Sequence, residues 1–78
     1  MDPIAEVVTL LRRQAELESQ LIQGDGIAVA AERALDTTRR RLAAHPHTLN
    51  AVLQTARALE RTPDSVSAHE VRTWGGSD

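Results

Sequence analysis

Seventy-eight residues with a formal charge of −2 allow one domain, and the absence of cysteine excludes disulfides, thiol nucleophiles and thiolate metal sites. No stretch approaches the roughly 18 consecutive apolar residues of a membrane span, and no basic segment precedes an apolar run at the N-terminus. The cytoplasm is therefore the expected compartment, and no membrane partner is read.

The first helix is expected from Pro3 to Gln23. Asp2 is a good cap, and Pro3 at the first helical position has its φ preset and loses no needed donor. Ile4, Val7, Val8, Leu10, Leu11, Leu17, Leu21 and Ile22 form a broad apolar face, and Gly24-Asp25-Gly26 stops the helix. So short a connection favours an antiparallel neighbour. The second helix is expected over Ile27–Ala44, with Ala31, Ala34, Leu35, Thr38 and Leu42 inward and Arg39, Arg40 and Arg41 near its C-terminus, where cations complement the dipole. His45-Pro46-His47 breaks it, because the residue before proline avoids the helical region. A third helix is expected from His47 or Thr48 to Arg61. Thr62-Pro63-Asp64 then reads as the start of a short fourth helix ending near Thr73.

These elements predict an all-α fold, an antiparallel helical hairpin extended to a three- or four-helix bundle over residues 1–74, with a tail at 75–78. Leu10, Leu17, Leu35, Leu42, Val52, Leu53 and Leu59 are the expected core. Twelve alanines accompany them and Trp74 is the only aromatic residue, so helices can approach closely while each side chain buries little area.

Charge is unevenly spread. Asp2, Glu6, Glu16, Glu18 and Asp25 outnumber Arg12 and Arg13 in residues 1–26, whereas residues 27–61 hold six of the nine arginines. An acidic first helix pairing with a basic middle segment is the structural expectation.

Candidates for chemistry are sparse. His45, His47 and His69 are the only imidazoles; His-Pro-His could offer zinc two ligands and His69 a third brought in by folding, but turn and surface histidines without such a role are commoner, and no metal site is read. Ser65 and His69 stand four apart on the expected fourth helix, without an orienting group or an oxyanion site. Gly24-Asp25-Gly26 follows a helix rather than a strand and has Val29 where a phosphate loop needs glycine. No enzyme activity, metal, cofactor or small-molecule ligand is read from these residues.

The strongest arrangement lies on the third helix. Asn50, Gln54, Arg57 and Arg61 are spaced to share one exposed stripe, and these side-chain types read base edges bidentately. With the second helix and the turn before it, the layout is that of a helix-turn-helix, with Arg39, Arg40 and Arg41 to contact phosphates. A polar solvated face accounts for the same residues, and the chain has no lysine.

Leu17-Glu18-Ser19-Gln20-Leu21, the Asp25-Gly26 turn and Gln54-Thr55-Ala56-Arg57-Ala58-Leu59-Glu60 together resemble the small helical co-chaperones of type III secretion needle subunits. The resemblance covers roughly residues 15–61. It implies a short cytoplasmic α-hairpin that binds a tetratricopeptide-repeat chaperone through its second and third helices, the pair keeping a needle protein from polymerising. The chain departs from that family in a shorter central segment, in Pro63, and in fifteen N-terminal residues without a counterpart.

The sequence thus reads first as an interaction module, a hairpin docking on a protein partner or on a second copy, and otherwise as a small DNA-binding helix-turn-helix. The apolar face of the first helix is wider than one neighbour covers, which favours association. A fourth helix folding back with Val66, Val71 and Trp74 is the competing way to cover it.

Overall fold

The computed structural model describes residues 2–24 and 28–75. Four helices follow one another without a strand among these residues: α1 (Pro3–Gln23), α2 (Ala28–Ala43), α3 (Pro46–Ala58) and α4 (Ala68–Gly75), with a 3-10 turn at Pro63–Ser65. The all-α hairpin-based bundle is the fold. Asp25, Gly26, Ile27 and the tail from Gly76 lie outside the described residues; Gly75, expected to open the tail, closes α4.

Local chemistry sets α1 as the sequence implies. The Asp2 carboxylate accepts from the Ile4 N–H at 3.0 Å, Pro3 occupies the first position, and Gly24 ends the helix at φ 69° with its N–H on Gln20 O. A left-handed residue at that place costs glycine nothing.

α2 ends at Ala43 rather than Ala44 and α4 runs to Gly75 rather than Thr73, and three further boundaries differ from expectation for local reasons. α3 starts at Pro46, earlier than His47 or Thr48, because a first-position proline needs no hydrogen bond and is already helical in φ. It ends at Ala58 rather than Arg61. There the Arg61 N–H bonds Ala56 O and the Glu60 N–H bonds Arg57 O, a Schellman closure with Glu60 left-handed at φ 55°. The fourth helix does not start at Thr62-Pro63-Asp64. That segment makes one 3-10 turn, Val66 is extended, and α4 begins behind Ser67. The Ser67 hydroxyl accepts from the Glu70 N–H while the Glu70 carboxylate accepts from the Ser67 N–H, both at 3.1 Å. This reciprocal capping box satisfies two otherwise orphaned donors.

Packing divides the molecule into a head and a stalk. In the head, the first half of α1 (Val7, Val8, Leu10, Leu11) is enclosed by Leu42 of α2, Val52 and Ala56 of α3, Val66, and Val71 of α4. Beyond it, Leu17 packs with Ala31 and Leu35 as a separate cluster, where α1 and α2 have only each other. The result is elongated, 47 × 25 × 15 Å with a radius of gyration of 13.4 Å. A compact domain of this length has about 11.5 Å. Its accessible surface of 5374 Å² likewise exceeds the about 4700 Å² expected for its mass.

Of the expected core, Leu10, Leu17, Leu35, Leu42 and Val52 are buried and Leu59 is half-buried, but Leu53 is 40% exposed. α3 presents Val52, Thr55 and Ala56 inward, and Leu53 stands one helical step aside from that face. The buried hydroxyls of Thr55 and Thr38 donate to Ala51 O and Ala34 O at 2.8 and 2.7 Å, which removes the cost of placing them in the core.

Candidate functional site

Four surfaces remain open once the core is assembled. On α3, Asn50, Leu53, Gln54 and Arg57 are exposed and line one shallow groove of about 170 Å³. Arg61 does not join them. The Schellman closure turns the chain at Glu60, so Arg61 points back to the Glu70 carboxylate and to Ser65 O. That pairing, after the bond from the Ser67 backbone N–H, holds the Glu70 carboxyl below its ordinary pKa. Ser65, outside α4, donates its hydroxyl to Thr62 O at 2.8 Å and shares no helix face with His69.

The second surface is a groove between α1 and α2. Thr9, Leu10, Arg13, Ala34, Thr37, Thr38 and Arg41 line it over about 360 Å³. It continues toward the N-terminus past Asp2, Ala5 and Glu6, sharing Thr9, Leu10 and Arg41 with that stretch. Its floor is apolar and small, and arginines stand on both walls.

The third is the end of the stalk. Ile22 is 87% and Val29 64% exposed. Ile22 prolongs the Ile4, Val8, Leu11, Ala15 stripe, whose first half the head covers and whose second half nothing among the described residues covers. A recess of about 220 Å³ at the α3–α4 edge is lined by Leu59, His69, Glu70, Thr73 and the half-exposed Trp74.

Ion pairs separate the two regions. Asp2–Arg72, Glu6–His45 (2.6 Å) and Arg61–Glu70 tie different parts of the head together. In the stalk the one pair among the described residues is Asp36–Arg40, within α2. Of the expected pairing between an acidic first helix and a basic middle segment, Glu6–His45 forms, and among the described residues no carboxylate of α1 is paired with an arginine of α2. Antiparallel packing sets Arg39, Arg40 and Arg41 beside the N-terminal half of α1, level with Arg12 and Arg13, while Glu16 and Glu18 lie a turn or more further toward the α1–α2 connection. Sequence reasoning found the charge blocks and missed this geometric consequence of the hairpin.

Among the described residues, no group of three or more His, Cys, Asp or Glu is arranged to hold a metal ion, and no helix is long and apolar enough to cross a membrane. His45 faces Glu6, His47 is exposed on α3, and His69 lies on α4. No protein-family model, curated protein or solved structure matches the chain.

Proposed function

We propose that this chain is a non-enzymatic, cytoplasmic protein-interaction module whose projecting α1–α2 hairpin is the docking element. The observation that carries this reading is the stalk itself: Leu17, Ala31 and Leu35 are covered by two helices only, and Ile22 and Val29 stand in solvent beside them. An apolar end of this kind loses water-exposed area only when another surface covers it, which is the ordinary driving force of association. The resemblance to needle-subunit co-chaperones fits a helical hairpin that works by holding another helical protein. A photo-crosslinking residue placed at Ile22, Val29 or Thr37 in the intact protein tests the reading in cells. Discrete protein adducts from these positions, and none from a probe at Ala58, are expected. Absence of adducts from all three sinks it.

A second reading is favoured by one observation, the clustering of Asn50, Gln54 and Arg57 in an open groove on α3. A DNA-binding helix-turn-helix would place these on base edges. It has lost Arg61 to Glu70, and Arg40 is paired with Asp36. A salt-dependent shift of duplex DNA, abolished by N50A/R57A, would establish it instead.

A further inference from the structure

The charge layout of the hairpin identifies its occupant. Granting that the hairpin docks, we infer that it docks on a second copy of this chain, antiparallel, through the groove between α1 and α2.

The end near the α1–α2 turn carries Glu16, Glu18, Glu32 and Asp36 against Arg33, whereas the end nearer the head carries Arg12, Arg13, Arg39, Arg40 and Arg41 against Asp2 and Glu6. Among the described residues, Asp36–Arg40, Glu6–His45 and Asp2–Arg72 are the pairs that consume any of this charge. The hairpin is therefore negative at one end and positive at the other, with like charges crowded at each.

Two closed two-fold pairings of such hairpins exist. Turns at the same end would stack carboxylates on carboxylates and guanidiniums on guanidiniums. Turns at opposite ends set each negative end on a positive one, twice. Like-charge juxtaposition disfavours the first and complementarity steers the second.

The face follows from what is already covered. The head packs over the Ile4, Val8 and Leu11 side of α1, which blocks a full-length partner there. The groove side is open between Asp2 and Arg13 on α1 and between Ala34 and Arg41 on α2, and its Leu10 and Ala34 floor admits a close helix. Thr9, Arg13, Glu16 and Gln20 are spaced four, three and four apart, so Glu16 continues the groove wall that Arg13 begins. A two-fold axis passing between them sets Glu16 of each protomer against the partner's Arg13.

Sedimentation equilibrium of the full chain at micromolar concentration tests this, with circular dichroism confirming that each variant is helical. The expected result is a species of twice 8.5 kDa whose dissociation constant rises with salt. Arg13→Glu alone and Glu16→Arg alone each weaken pairing by about tenfold or more. The double swap R13E/E16R restores it, as does an equimolar mixture of the two single variants. A monomer at every concentration overturns the inference. So does a dimer indifferent to both single changes, or one the double swap fails to recover. A monomer whose arginine-rich end instead retards duplex DNA also overturns it. Adducts from Thr37, in the groove itself, that contain only a different protein would leave hairpin docking standing while self-pairing falls.

Discussion

The two ends of α1 carry similar leucine-rich faces and meet different fates. In its first half, Val7 is fully buried and Leu10 and Leu11 nearly so, because α3, Val66 and Val71 close over the side that α2 leaves open. In its second half the same helix has α2 alone, so Leu17 is buried while Ile22, on the side the head would have covered, is left in solvent. Polar links follow the same division: every ion pair between elements among the described residues lies in the head. A helix face is thus core or binding surface according to what folds back on it, and here the fold-back covers half.

Deleting packed side chains is the strongest way to break this contrast. Leu42→Ala, in the enclosed head, is expected to destabilise by about 3–4 kcal/mol, near the upper part of the range for buried leucine. Leu35→Ala, in the stalk, is expected to cost about 2 kcal/mol, since two helices can settle into the space more freely. Leu53→Ala should cost less than about 1 kcal/mol because that side chain is partly in water already. Urea titration measures all three, and equal values for Leu42 and Leu35 would mean that the two regions pack alike.

Hydrogen exchange sharpens the same point without mutation. Amides of the stalk, around Leu17 and Leu35, are expected to exchange by local opening about 2 kcal/mol or more below the global unfolding that governs Val52 and Ala56. Uniform protection along α1 would erase the division.

Smaller effects come from the helix ends, one in each region. Gly24 and Glu60 both adopt left-handed backbone, at φ 69° and 55°. Gly24→Ala meets no neighbouring atom, so its expected cost of about 1 kcal/mol is that of the backbone conformation alone. Glu60→Gly should stabilise the head by a similar amount, about 0.5–1 kcal/mol, read as a rise in melting temperature.

The smallest effect is electrostatic and confined to the head. The Ser67 backbone N–H and Arg61 hold the Glu70 carboxyl below its ordinary value, so its contribution is present above the unfolded value of about 4.3 and is lost as pH falls through the folded one. Thermal melts from neutral to acid pH should show a steeper decline for the native chain than for Glu70→Gln. Parallel declines would remove Glu70 from the account.

Signals confined to a turn or two were legible in the sequence alone: the Asp2-Pro3 start and Gly24 stop of α1, the break at His45-Pro46, the all-α class, and the clustering of Asn50, Gln54 and Arg57 on α3. The Ser67-Ala68-His69-Glu70 capping box was equally legible, and was masked by the more conspicuous Thr62-Pro63-Asp64. Tertiary structure decided the rest. Leu53 gave way to Ala56 because α3 turns the face that fits Val7 and Val66, not the face with the most leucine. Arg61 left the α3 stripe because the chain had to reverse at Glu60 to bring Val66 and Val71 over α1. Glu16 and Glu18 stayed apart from the arginines of α2 because an antiparallel hairpin pairs the beginning of one helix with the end of the next. Helical spacing fixes which residues share a face, but only the arrangement of neighbours fixes whether that face, or that charge, finds a partner within the chain.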